Sequence, residues 1–154
     1  MSIVYLVQHG QAKGQDEDPD RPLTATGRQE TERIAALVAK MGLSIAEIRH
    51  SGKTRARETA AIFARALKLM GAIREVDNMD PTDDVRPLAE SLVWAEEPLM
   101  LVGHKPFLPS LAGQLINGDP VSAPVKFRHS GIVAISPDSG NGEHWLAAWQ
   151  LNPL

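Results

Sequence analysis

The chain has 154 residues, 16 basic against 19 acidic, for a formal net charge of −3. That length fits one domain, since a single core of this size buries most of the apolar surface an unfolded chain exposes. The charge offers no broad positive surface to nucleic acid or an anionic membrane, so any phosphate must be held by local groups. The sequence contains no cysteine, which excludes a disulfide framework, a thiolate nucleophile and a sulfur-ligated metal, and is compatible with a reducing compartment. The first residues run directly into Ile3-Val4-Tyr5-Leu6-Val7 without a basic leader or small-residue cleavage site, and no later apolar run reaches membrane-spanning length. A soluble, cytoplasmic protein is expected.

Ser2 to Gln8 is a short, β-branched, nearly continuous apolar run, the pattern of a strand buried on both faces. It ends at His9-Gly10. Gln11 to Pro22 is polar and acidic, with Asp16, Glu17, Asp18 and Asp20, and reads as a surface loop. A helix follows, with Thr24 or Thr26 as cap, Thr26 and Gln29 at capping-box spacing, Ile34, Leu37, Val38 and Met41 as its apolar face, and Gly42 as its end. Ile45 to Ser51 is a weaker strand. Lys53 to Met70 repeats the helical pattern through Ala56, Ala60, Phe63, Leu67 and Met70.

Ala72 to Val76 reads as a further strand and Asn78 to Asp83 as a turn. Val85, Leu88, Leu92 and Ala95 mark a third helix that Asp83 or Asp84 can cap. Pro98 opens Leu99-Met100-Leu101-Val102, the clearest buried strand, which ends at Gly103-His104. Pro106 suits a helix first turn, and Leu108, Leu111, Ala112 and Leu115 give that helix its core face. Gly131 to Ser136 and Glu143 to Gln150 flank the turn-forming Pro137-Asp138-Ser139-Gly140-Asn141-Gly142 and read as a hairpin. The alternation predicts a single three-layer α/β domain over residues 1–154, a mostly parallel central sheet flanked by helices, with an antiparallel C-terminal hairpin.

In such folds ligands gather beyond the carboxyl ends of the strands. That rule selects His9-Gly10 and Gly103-His104. A neutral imidazole can attack phosphorus and a protonated one can hold phosphate oxygen, while the adjacent glycines let a bulky anion approach the backbone. The segment from Ser51 to Ala60 opens the second long helix, where free N–H groups and the dipole favour anions. Arg55 in its first turn adds a bidentate fork. Arg57, about 200° further round, points elsewhere.

Leu6-Val7-Gln8-His9-Gly10-Gln11-Ala12, Arg21-Pro22-Leu23-Thr24-Ala25-Thr26-Gly27, Ser51 to Ala60 and Val102-Gly103-His104 occur in the order and spacing of the histidine phosphatase superfamily. The short chain, without a large helical insertion, resembles its phosphohistidine phosphatase branch. That resemblance implies a metal-independent phosphatase without a cofactor, in which His9 becomes transiently phosphorylated and Arg55 and His104 stabilise the equatorial oxygens. Gln8, Gly10, Arg55 and His104 would contact the phosphoryl group.

The sequence departs from the family at one position. The family places Arg directly before the nucleophile, whereas Gln8 keeps amide donors but lacks the charge and the fork. A lost charged contact of this kind costs about 3–4 kcal/mol, hundreds-fold in rate, unless another cation compensates. Lys13, Lys53 and Lys105 are candidates, and the sequence does not choose among them. Asp80, Asp83 and Asp84 are candidate acids in the turn before the third helix, and His129 in Phe127-Arg128-His129-Ser130-Gly131 is a candidate accessory group. The five histidines lack the close pairing of common zinc motifs, so no metal site is expected.

The expected substrate is a phosphorylated protein, such as a histidine-containing phosphotransfer domain, acted on by a monomer with no nucleic-acid or membrane partner and a role in signal transduction. Imidazole is an easily protonated leaving group, so an undeveloped acid harms phosphohistidine hydrolysis less than alkyl phosphate hydrolysis. The alternatives are a small-molecule phosphomonoesterase and a phosphate- or phosphoprotein-binding module weakened by Gln8.

Overall fold

A computed structural model describes residues 1–138 and 144–154. In chain order the strands are β1 (Val4–Gln8), β2 (Glu47–His50), β3 (Ile73–Glu75), β4 (Leu99–Gly103), β5 (Ile132–Pro137) and β6 (Trp145–Leu151); the helices are α1 (Ala25–Lys40), α2 (Thr54–Leu67), α3 (Arg86–Trp94) and α4 (Phe107–Asn117). One sheet joins the strands in the order β3-β2-β4-β1-β5-β6. The β3-β2, β2-β4 and β4-β1 pairs are parallel, and the β1-β5 and β5-β6 pairs antiparallel. Most of the expected turn, and the Glu143 start of the return strand, lie outside the described residues.

Strand side chains alternate between faces, and here each face has its own core. Val4, Leu6, Leu99, Leu101, Val133 and Ile135 pack with Ala89 and Leu92 of α3 and Phe107, Leu108 and Leu111 of α4. Tyr5, Val7, Ile48, Met100, Val102 and Ala134 pack with Ile34 and Val38 of α1 and Ala56, Ala60 and Phe63 of α2. All five residues of β1 and of β4 are buried, which is why both read as continuous apolar runs rather than as alternation.

Of the two expected caps, Thr24 is the one used in α1, its hydroxyl accepting from Gly27 N at 2.9 Å. The inward face of the helix differs from expectation. The buried face is Thr31, Ile34, Ala35 and Val38, while Leu37 and Met41 are 49% and 47% exposed. A helix buries a stripe near i, i+3, i+4 and i+7, and starting that stripe at Thr31 turns Leu37 and Met41 off it. Thr31 is hidden from a hydropathy reading because its hydroxyl is satisfied inside the fold, bonding Gly27 O at 2.7 Å.

The second helix stops earlier than expected. Lys68 takes a left-handed conformation (φ 60) and a short 3₁₀ turn follows at Met70–Ala72, so Met70 is exposed rather than on the core face. At α3, Val85 occupies the cap position, Asp84 accepts the Arg86 N–H at 3.0 Å, and Asp83 instead accepts from Asp80 N at 2.9 Å. Pro106 sits at the cap of α4 rather than within its first turn.

Among the described residues no helix is long and apolar enough to cross a membrane.

The buried stripe of α1 can be tested by paired truncations. Ile34→Ala, at a site 2% exposed, is expected to cost about 2–5 kcal/mol, and Leu37→Ala no more than about 0.5 kcal/mol, both read by denaturant unfolding. Equal costs would contradict the observed orientation of the helix.

Candidate active site

The parallel pairing of β1 with β4 places Gln8 opposite Gly103, so the residues leaving the two strands emerge side by side. His9 N donates to Gly103 O at 3.0 Å, and the His9 and His104 ring centroids lie 5.1 Å apart. Both rings are buried, at 7% and 1% exposure. The two histidines singled out at strand ends therefore form one site.

His9 Nδ1 lies 2.7 Å from the Gly10 carbonyl oxygen. A carbonyl only accepts, so Nδ1 carries the proton and Nε2 keeps the lone pair. Gly10 is needed for closeness: a Cβ there would stand 2.7 Å from Thr31 Oγ1 and 3.0 Å from both Gly27 O and Ser130 Oγ.

The start of α2 closes the next side. Gly10 N donates to Thr59 Oγ1 at 3.0 Å, and that hydroxyl donates to Arg55 O at 2.8 Å, tying the turn after His9 to the helix that carries Arg55. Glu58 on the same helix accepts from Leu23 N at 2.8 Å and pairs with Arg28 at 3.2 Å, anchoring the segment that enters α1. Ser51 Oγ contacts His104 Nε2 at 2.6 Å. Arg57 is exposed, consistent with its place around the helix.

Gln8 is 4% exposed. Its Oε1, Arg55 Nε and His104 Nδ1 are buried atoms with no hydrogen-bond partner among the described residues. Buried polar atoms are normally satisfied, and three such atoms on residues around His9 mark a place shaped for a polar ligand.

Arg21 was missed as a site residue, although its Arg-Pro-Leu-Thr segment stood out in the sequence. It holds φ 50, unusual for a residue with a Cβ, and donates from Nε to Lys13 O at 3.0 Å. Its charge acts on His9, Arg55, His104 and His129 together. Of the three lysines considered, Lys53 acts on His104 and Lys105 on His129. Propensity gives no signal for the left-handed backbone at Arg21.

The acids separate. Asp80 lies within electrostatic range of Arg55, the Asp83 carboxylate is spent on the turn, and Asp84 is exposed and paired with Arg86 at 3.1 Å. His129 is exposed but close, its ring 5.4 Å from that of His9. Its neighbour Ser130, at φ 64, donates its N–H to Gln8 O at 3.0 Å and shares a 2.7 Å hydroxyl contact with Thr31. The 129–130 turn is thereby pinned beside His9.

Burial, first of all, lowers His9 to about 4 and His104 to about 3, with Arg55 adding to both shifts. At neutral pH the free site holds two uncharged imidazoles facing a guanidinium. That combination suits a nucleophile whose lone pair is available and an anion site whose charge comes from arginine. A bound phosphoryl dianion would in turn favour the protonated form of His104. Among the described residues no three His, Asp or Glu side chains group as metal ligands.

This architecture agrees with known proteins. Residues 4–84 match the model of the histidine phosphatase superfamily, branch 1. A protein of Picosynechococcus without assigned function is 30% identical over 142 residues, 86% of this chain and 83% of that one. Among solved structures, the protein histidine phosphatase SixA complexed with tungstate superposes with a TM-score of 0.85 at 23% identity, covering 98% of this chain and 97% of that one. A candidate phosphohistidine phosphatase SixA from Agrobacterium tumefaciens gives 0.78 at 28% identity, covering 99% and 98%. The chain belongs to the histidine phosphatase superfamily, and its fold is that of the SixA-like members. Membership implies a hydrolase of the phosphatase class.

The depressed histidines generate a pH signature. Between about pH 6.5 and 4 the unfolded chain takes up the His9 proton and the folded chain does not, so stability is intact above 6.5 and falls as pH drops through this window. For His9 alone the loss is up to about 1.4 kcal/mol per pH unit. Nitrogen NMR is expected to find both rings still neutral at pH 5.5, with Tm falling from pH 6.5 to 4.5. A ring titrating near 6.5 would contradict the burial argument.

Proposed function

We propose that this chain is a metal-independent phosphohistidine phosphatase in which His9 is the nucleophile and a protein phosphohistidine the substrate. The observation that carries this reading is the pair of buried, unpartnered nitrogens on Arg55 and His104 beside a His9 whose Nδ1–H is committed to Gly10 O. Nε2 attacks phosphorus, forming an N–P bond as the bond to the leaving imidazole breaks, and that imidazole takes up a proton. Arg55, Arg21 and the Gln8 amide stabilise the transferring oxygens, which is where catalysis of phosphoryl transfer chiefly lies. Water then attacks the phosphorylated His9, releasing phosphate and restoring the ring.

Arg21 takes over the charge that Gln8 does not supply. Its position, in range of every ring of the site, supports this better than any of the three lysines. Asp80, beside Arg55, is the acid best placed to assist a less basic leaving group, and His129 the second group at the mouth. The expected setting is cytoplasmic signal transduction.

The decisive experiment supplies a phosphorylated histidine-containing phosphotransfer domain and, separately, para-nitrophenyl phosphate to the wild type and to His9→Ala. Phosphate release from the protein substrate, absent in His9→Ala and accompanied by acid-labile phosphate trapped on His9, is the expected result. Phosphate binding without release from either substrate would establish a binding module instead; release from the ester alone would establish a small-molecule phosphomonoesterase.

Two arginine variants test the charge assignment. Arg21→Ala is expected to lower kcat by about 10²–10³, as loss of an oxyanion contact does. Gln8→Arg in that background is expected to recover at least about tenfold. An unchanged kcat in Arg21→Ala would leave Gln8 uncompensated.

A further inference from the structure

Beside the site runs a groove of about 400 Å³ lined by Lys105, Pro109, Ala123, Val125, Lys126, Phe127 and Arg128. Its floor is apolar. Val125 and Phe127 turn inward, at 9% and 3% exposure, and join the core against α4, while Lys126 and Arg128 alternate outward and are exposed. Lys105, directly after His104, also lines the groove. Three cations and no carboxylate line this groove, on a chain whose net charge is −3. The local charge therefore opposes that of the whole molecule.

The walls are fixed. Gln150 Nε2 donates to Lys126 O at 2.7 Å, Gly131 N to Arg128 O at 3.0 Å, and Ser130 N to Gln8 O at 3.0 Å. They are also tied to the site through the chain: Arg128 precedes His129, whose ring is 5.4 Å from that of His9, and Lys105 follows His104. Residues flanking a phosphorylated side chain at His9 are therefore the ones that can reach Lys105 and Arg128.

We infer that this groove is the docking surface for the substrate protein and selects an acidic segment with an apolar side chain beside its phosphohistidine. The inference rests on the phosphohistidine reading above. Complementary charge at such a rim acts on encounter and on KM rather than on the chemical step. The acidic carboxylates meet Lys105, Lys126 and Arg128, and the apolar side chain enters between Pro109 and Phe127.

The test uses two peptides with the same central phosphohistidine, one flanked by Asp, Glu and Leu, the other by Asn, Gln and Leu at the same positions. Wild type is expected to favour the acidic peptide by roughly tenfold in kcat/KM, chiefly through KM, with the preference shrinking at about 0.5 M salt. The double variant Lys126→Glu, Arg128→Glu is expected to lose or invert that preference while keeping the wild-type circular dichroism spectrum and Tm, which report that it has folded. Equal kcat/KM for the two peptides in wild type, or a preference surviving in the variant, would overturn the docking assignment. Release from neither peptide would instead remove the phosphohistidine reading; the groove is then judged by fluorescence anisotropy of the unphosphorylated acidic and neutral peptides, where equal binding rejects it.

Discussion

The site depends on the parallel ladder between β1 and β4. Parallel neighbours deliver their carboxyl ends to the same edge of a sheet, and the Gln8–Gly103 register makes the two ends level. Because both strands are buried on both faces, a slip of one residue would drive apolar side chains to the wrong core. The same register that satisfies two hydrophobic layers therefore also sets the approach of His9 and His104. The His9 N–H bond to Gly103 O continues the ladder one step into the site.

Around that pair, packing and electrostatics act in one direction. Burial removes water from the imidazoles and keeps them neutral, so the positive charge at the site resides on arginines, which remain ionised when partly buried. Hydrogen bonds from Gly10 to Thr59 and from Thr59 to Arg55 tie the turn that carries His9 to the helix that carries Arg55. Neutral rings beside guanidinium groups leave the site with positive charge on its arginines and a free lone pair on His9.

Close approach explains the small residues. Gly10 stands where a methyl group would meet Thr31, Gly27 and Ser130, and a Cβ on Gly27 would overlap the Gln11 carbonyl. These contacts bring α1, the turn after β1 and the turn before β5 within hydrogen-bonding distance. Thr31, which a hydropathy reading counts as polar, is at the centre: it bonds Gly27 and Ser130 and is fully buried. Satisfaction of its hydroxyl, rather than its hydrophobicity, makes it a core residue.

The order of strands and helices, the buried runs of β1 and β4, and His9, His104 and Arg55 as residues at strand and helix ends were legible in the chain because they rest on local periodicity and on the rule that sites lie beyond strand carboxyl ends. The inward face of α1, the end of α2 and the fate of the three aspartates were not, since each depends on which neighbours satisfy a polar group or cover a face. Arg21 and the pinned turn at His129–Ser130 lay further out of reach: their backbones adopt left-handed angles that neither sequence pattern demands, and only tertiary contacts hold them there. Local pattern thus determined where chemistry-bearing residues leave the secondary structure. Long-range packing decided which of them meet, because the distance between two side chains far apart in sequence is a property of the closed fold alone.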